Sequence, residues 1–304
     1  MEYRAQNQFL EIALLVVLSF LWGSSFTFIK IAVETVPPAT IVLGRLVLGA
    51  ALLMLLVRMR GISIPGAPTL WCAFLVQGFL QSALPFTLIS WGEKHIDSGM
   101  AGILNSTPPL FAFLITFLFL REGEASFRKF VGVTMGMAGV LVTLGPDIIN
   151  GSNNSVLGQI AVTASSVSYA LAAIYARRFS DQPALLTAAC SMTMAAIMMV
   201  PVSFYFDQPW ALKPSSEAVW SITALGIFST ALAMMIYFRL VKTLGAVGVT
   251  SGSYLRAGFS VLLGVMFLNE GLSISLLVGL VLILFSVAIV TGQVRWPIRR
   301  QAAS

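Results

Sequence analysis

Charge is scarce in this chain. Of its 304 residues 10% are charged and 58% hydrophobic, whereas a soluble domain carries roughly 25% charged residues. That shortage excludes a water-soluble globular protein and leaves an integral membrane protein with many crossings. Histidine occurs once, at His95, and cysteine only at Cys72 and Cys190, both inside apolar stretches. Neither a disulfide framework nor a metal cluster can be assembled from that stock, and no cofactor is expected. Paired carboxylates within apolar runs, a HExxH helix and a His ligand set are all missing. An intramembrane enzyme would have no residues to work with.

What is abundant is apolar length. About 20 apolar residues make one helical crossing, and ten segments qualify: 10–31, 38–57, 70–91, 98–119, 130–146, 156–176, 183–206, 217–238, 246–268 and 274–292. The first is too long for a signal-peptide core and stays as a helix. The connections are short and rich in turn residues, as at Pro37-Pro38 and Gly61 to Pro68. With the N-terminus in the cytoplasm, thirteen of the 18 Lys and Arg fall in cytoplasmic segments and only Lys94 and Lys213 in outer loops. That bias sets the orientation as N-in and C-in. It also accounts for the net charge of +6 without a nucleic-acid partner.

One stretch interrupts the pattern. Ser98 to Glu122 is long enough to span, yet Asn105-Ser106-Thr107-Pro108-Pro109 stands at its middle. Each proline lacks an N–H and pushes away the carbonyl four residues earlier, so Leu104 and Asn105 lose their helical donors. In hydrocarbon such carbonyls must find protein or a wet cavity.

The stretch has a second copy. An offset of 148 turns Phe119-Leu120-x-Glu122-Gly123 into Phe267-Leu268-x-Glu270-Gly271, Val142-Thr143 into Val290-Thr291, and Lys94 into Lys242. Two tandem units result, 1–150 and 151–304. Five crossings per unit make the second enter from the opposite side, the inverted-repeat plan of many secondary transporters, whose sites lie at mid-depth between the halves. The expected fold is therefore an all-α membrane protein of ten transmembrane helices in two inverted five-helix repeats.

Polar residues at mid-depth mark which helices surround a pathway. Helices one, three, four, six, eight and nine carry Trp22, Gln77, Gln81, Asn105, Ser165, Tyr169, Thr230, Ser253 and Arg256, the candidate substrate-binding set. Helices five and ten are nearly all aliphatic and are expected outside the ring. Arg256 is the sharpest of the set, because an arginine at a helix centre costs roughly 2.5–3.5 kcal/mol on insertion scales. It is expected to reach the carbonyls freed by Pro108 and Pro109, or a substrate anion. Lys30 and Arg45 are expected to extend to water at the outer ends of their helices. Every Asp and Glu falls in a loop or within a turn of a predicted helix end. Proton-linked carriers usually hold an acid or His inside the membrane, so facilitated or exchange transport is expected. Gly132 and Gly136, a small-xxx-small pair, read as an internal helix contact. The expected partners are a small-molecule substrate and the lipid bilayer, with the chain as a monomer.

Three segments carry a family likeness: LWGSSFTFIKIAVETVPPATIVLGRLVLGA (21–50), STPPLFAFLITFLFLREGEASFRKFVGVTMGMAGVLV (106–142) and LLGVMFLNEGLSISLLVGLVLILFSVAIVTG (262–292). They resemble the opening and close of the EamA module of the drug/metabolite transporter superfamily, and the likeness spans nearly the whole chain. The family's Leu-Gly-Glu is here Leu-Arg-Glu and Leu-Asn-Glu. The resemblance implies alternating access, small metabolites as cargo, a bacterial inner membrane location, and amino acid export, aromatic ones included; a drug or other-metabolite exporter, a nucleotide-sugar carrier, an importer and a non-catalytic membrane scaffold are the alternatives. Trp22, Trp91, Tyr169, Tyr237 and Tyr254 suit an amphipathic substrate, although Trp and Tyr also populate membrane interfaces.

Overall fold

The computed structural model describes residues 2–118, 127–150, 153–250 and 252–290, and every regular element among them is helical. Seven helical stretches are long and apolar enough to cross a membrane: Leu10–Ala32, Pro38–Met59, Pro68–Gly92, Ser98–Leu118, Ser155–Phe179, Ala184–Asp207 and Ser216–Leu240. Shorter apolar helices cover Phe130–Pro146, Leu255–Leu268 and Ile274–Ile289. Large apolar side chains such as Ile12, Leu55, Leu141, Val281 and Phe285 are more than half exposed. Such a surface is a liability in water and suits lipid.

Local chemistry sets the boundaries. Helix α1 (Glu2–Ala32) is followed by α2 (Pro38–Met59), which places a proline in its first turn where the missing N–H costs nothing. At its other end Gly61 takes φ +64°, its N–H bonding to Arg58 O and that of Ile62 to Val57 O, the paired bonds of a glycine-terminated helix. Helices α3 (Pro68–Gly78) and α4 (Leu84–Gly92) form one rod joined by a π-helical turn at Phe79–Ala83. Pro85 withholds an N–H from Gln81, and the N–H of Leu84 reaches back to Phe79 O instead. Helices α10 (Ser216–Gly226) and α11 (Ala233–Thr250) are joined in the same way through Ile227–Leu232. The offset of 148 carries the first π turn onto the second.

The expected interruption is present. Helix α5 (Ser98–Leu104) stops at Asn105, and α6 (Pro108–Leu118) begins on the proline pair. Its counterpart α12 (Gly252–Leu268) is unbroken, and Pro108 plus 148 is Arg256. The remaining helices are α7 (Phe127–Ile149), α8 (Asn153–Tyr175), α9 (Ala184–Val202) and α13 (Ile274–Val290).

Packing is symmetric under exchange of the two halves. Helix α2 lies on α9, α7 on α13, and α5 on α12; α1 packs on α12 as α8 packs on α5 and α6; α3 packs on α9 as α10 packs on α2. Partner helices cross antiparallel, since Gly99 meets Val261, Gly102 meets Ser260, and Asn105 meets Arg256. The α7–α13 seam runs the same way: Gly136 meets Ser286 and Gly139 meets Ile283, while Ser286 donates to Gly132 O. The small-residue pair thus serves an internal contact.

Two expectations about the helices change. Helix α1 starts before its apolar run, so Glu11 lies well inside a helix; it is buried and takes two bonds from Arg239 and one from Thr243. The expected connection near 239–245 is helical, for no proline interrupts α11. The first copy of the FLxEG block falls outside the described residues.

Candidate functional site

Around the break in the fourth span, side chains from both halves enclose a cavity of about 430 Å3. A second chamber of about 490 Å3 adjoins it, sharing Gln81, Ser82, Tyr169, Ala173, Met234 and Tyr237 in its lining. These volumes are in the range of small-molecule sites. The second chamber extends past Gln77 to the connection between α8 and α9, at Ala176, Ser180 and Gln182.

The freed carbonyls are capped. Leu104 O accepts from Thr107 Oγ1 at 2.7 Å and from Ser166 Oγ at 3.2 Å. Asn105 O accepts from Arg256 Nη2 at 2.6 Å, across from the other half. Asn105 Nδ2 donates to Ser165 Oγ at 3.0 Å, and that hydroxyl donates to Val162 O. At the π turn Ser168 Oγ donates to Leu80 O at 2.7 Å. Arg256 itself is half-buried, lines the cavity, and keeps its Nε buried with no acceptor.

Six of the nine expected residues line the first chamber: Trp22, Gln81, Asn105, Tyr169, Thr230 and Arg256. Gln77 lines the second and donates to Gln81 Oε1. Ser165 lines neither; it is fully buried and orients Asn105. The side chain of Ser253 lies outside the described residues, as does that of Tyr254. Trp22 stacks at a tilt on Tyr237, ring centroids 5.7 Å apart.

Arg45 departs from expectation. It is 7% exposed and turned inward, with Nε donating to Thr230 Oγ1 at 2.8 Å and Cζ 3.9 Å from the Phe86 ring centroid. Seven residues at 1.5 Å each put it about 10 Å along α2, too deep to reach water when a hydroxyl and a ring face are closer. Lys30 stands in the last turn of α1 but is tied down, donating to Glu93 O at 2.8 Å and Ile96 O at 2.7 Å. The expected ring of lining helices also widens: α2 contributes Arg45, and α9 contributes Thr187, Ser191 and Met192. No described residue of α7 or α13 lines either chamber, so these two helices lie outside the ring.

Ser82 and Ser229, not singled out by the sequence, line the cavity beside Gln81 and Thr230. The offset of 148 was the signal, since it pairs Gln81 with Ser229 and Ser82 with Thr230. All four stand on the two π turns, a local geometry common at functional sites.

Part-buried contacts between the halves tie down the starts of α5 and α2. Glu270 accepts from the N–H groups of Ser98 at 2.7 Å and Gly99 at 3.0 Å. Asp207 accepts from Thr40 N at 2.7 Å and Thr40 Oγ1 at 2.9 Å. Both carboxylates come from the second half and cap helices of the first. Beside them Glu93 is fully buried, and neither of its carboxylate oxygens has a partner.

Two curated proteins that the chain resembles along most of its length are transporters by name. The chain is 27% identical over 278 residues to "Uncharacterized inner membrane transporter YedA" of Escherichia coli K12, covering 91% of this chain and 89% of that protein. It is 22% identical over 270 residues to "Uncharacterized transporter YoaV" of Bacillus subtilis, covering 88% and 92%. A crystal structure with 20% sequence identity superposes with a TM-score of 0.64 over 94% of this chain and 98% of that one, a likeness of fold. The model of the EamA-like transporter family matches twice, at residues 9–145 and 156–292, and the chain belongs to that family.

Proposed function

We propose that the chain is a ten-span carrier of the bacterial inner membrane, built from inverted repeats 1–150 and 151–304. In this reading it exports small amphipathic carboxylates, amino acids and aromatic ones among them, by alternating access. The observation that carries the reading is the cavity at the broken helix, where Asn105 and Gln81 of one half meet Thr230 and Arg256 of the other. A scaffold would have no use for so polar an interior, since buried polar groups cost free energy unless they serve something. The antiparallel crossing of α5 with α12, and of α7 with α13, supports inversion. Transporters of this plan hold substrate where the halves meet.

Export is supported by which end is shut. In the charge-derived orientation the caps at Ser98 and Thr40 and the Lys30 bonds lie on the outer side. The second chamber reaches the connection bearing Arg177 and Arg178, on the cytoplasmic side. A cavity that reaches toward the cytoplasm and is closed outward is the loading state of an exporter. The test is uptake of labelled amino acids into proteoliposomes, competed by an unlabelled panel. Saturable, competed uptake supports the reading; passive, uncompeted leakage equal to that of empty liposomes refutes it.

A further inference from the structure

The cavity holds two guanidinium groups and, among the described residues, no carboxylate. Arg45 and Arg256 both line it, whereas Glu11, Glu93, Asp207 and Glu270 lie elsewhere and line neither chamber. We infer that the central cavity is built for an organic anion, a carboxylate with an apolar or aromatic body and no ammonium group, in preference to the zwitterionic amino acid of the same shape. The inference rests on the carrier reading but shifts its preferred cargo from amino acids to carboxylates of the same shape that lack the ammonium group.

Arg45 is the anchor. Its Nε is committed to Thr230 and its face lies against Phe86, which fixes the plane of the guanidinium. Its two terminal amino groups donate to no described residue, and neither is sealed away from the cavity. A planar fork held rigid with two free donors is the geometry that receives a carboxylate in a paired contact. Arg256 adds a second charge to the same lining, with one amino group on Asn105 O.

An ammonium has no equivalent welcome. It needs a carboxylate or several free carbonyls to replace its water. The carbonyls that a broken helix would offer are taken: Leu104 O by Thr107 and Ser166, Asn105 O by Arg256, and Leu80 O by Ser168. The charges already present repel it. The body of the substrate meets Trp22, Phe86, Tyr169 and Tyr237, an aromatic surface suited to a ring or a branched chain.

Three probes with one body separate the possibilities: 3-phenylpropionate, phenylalanine and phenethylamine, an anion, a zwitterion and a cation. Uptake of each into proteoliposomes of the full chain is compared at equal concentration and neutral pH. The expected order is 3-phenylpropionate at least about tenfold above phenylalanine, with phenethylamine at background. Arg45→Gln and Arg45→Lys, checked for an unchanged elution profile in detergent, are expected to lose at least about tenfold of the anion's uptake, because neither keeps a charged fork. Phenylalanine carried as well as or better than the anion overturns the inference while leaving a carrier. Background uptake of all three overturns the carrier reading with it. Undiminished anion uptake in both Arg45 variants overturns the role of that residue and the inference built on it.

Discussion

Arg256 donates from Nη2 to the carbonyl of Asn105 at 2.6 Å, and that carbonyl is the one from which Pro109 withholds a helical N–H. A charge in the middle of one half thereby completes the backbone of the other. Restoring the N–H with Pro109→Ala makes the arginine partly redundant. Arg256→Gln is expected to cost about 1.5–3 kcal/mol in the parent, the scale of a hydrogen bond from a charged group. It is expected to cost at least about 1 kcal/mol less in the Pro109→Ala background. Thermal unfolding of the four proteins in one detergent measures the coupling. Strictly additive losses would mean that the bond does not repair the helix.

Thr230 aims Arg45. Thr230→Val keeps the volume and removes the acceptor of the Nε bond, leaving the guanidinium free to rotate off Phe86. Uptake of the transported substrate should fall about tenfold, the equivalent of 1.4 kcal/mol, with the unfolding temperature little changed. Equal uptake would show that the arginine is held by the ring alone.

Glu270 accepts two N–H groups at the start of α5, the end that the proposed orientation places outside. Such carboxylate-to-amide bonds at a helix start are worth about 1–2 kcal/mol. Glu270→Ala is expected to lower stability by that amount and to increase labelling from outside at a cysteine placed in the cavity. Gly264→Ala should act similarly, for a Cβ there would stand 2.1 Å from Glu270 Oε2 and 2.8 Å from Ser98 Oγ. A variant labelled no faster than its parent would remove the seal from the account.

Glu93 sits in the connection after α4, outside the spans. Burial pushes its carboxyl well above the usual carboxylate range; Lys30 pulls the other way, Glu270 adds to the push, and Arg45 opposes it weakly. The folded state therefore prefers the neutral acid. Stability from this preference is fully present below the carboxyl's ordinary value of 4.5 and is lost as pH rises through the raised one. Glu93→Gln should mimic the neutral form. As pH rises above 4.5 and through the raised value the parent is expected to lose stability relative to Glu93→Gln, read as diverging unfolding temperatures. Parallel profiles would contradict the assignment.

How much of this was legible in the letters depends on what each residue's surroundings required. The helix break was legible because two adjacent prolines leave named carbonyls without donors whatever packs nearby. Arg256 was legible as the partner because no acid stood within reach in its own apolar run. Arg45 was misread: position along a helix gives depth, but the face it turns to the interior depends on Thr230 and Phe86, which are distant in sequence. Glu93 stands at a helix end, as the letters imply, but its burial was not legible. A loop acid is normally solvated, and only the assembled contacts around Lys30 and Ser98 bury it. Helices α2 and α9 join the lining because they cross at the bundle's centre, which hydropathy cannot report. The π turns were hidden as well, although the repeat offset already paired the residues they carry.

The most direct test of the carrier account places a single cysteine at Gln81, one of the residues common to both chambers, with Cys72 and Cys190 replaced by alanine. A membrane-impermeant thiol reagent is applied to right-side-out and to inside-out vesicles. The account predicts labelling from both faces, faster from the cytoplasmic one, with saturating substrate shielding the site. Labelling confined to one face and indifferent to every substrate tried, or no labelling from either, would contradict a cavity that opens to each side in turn.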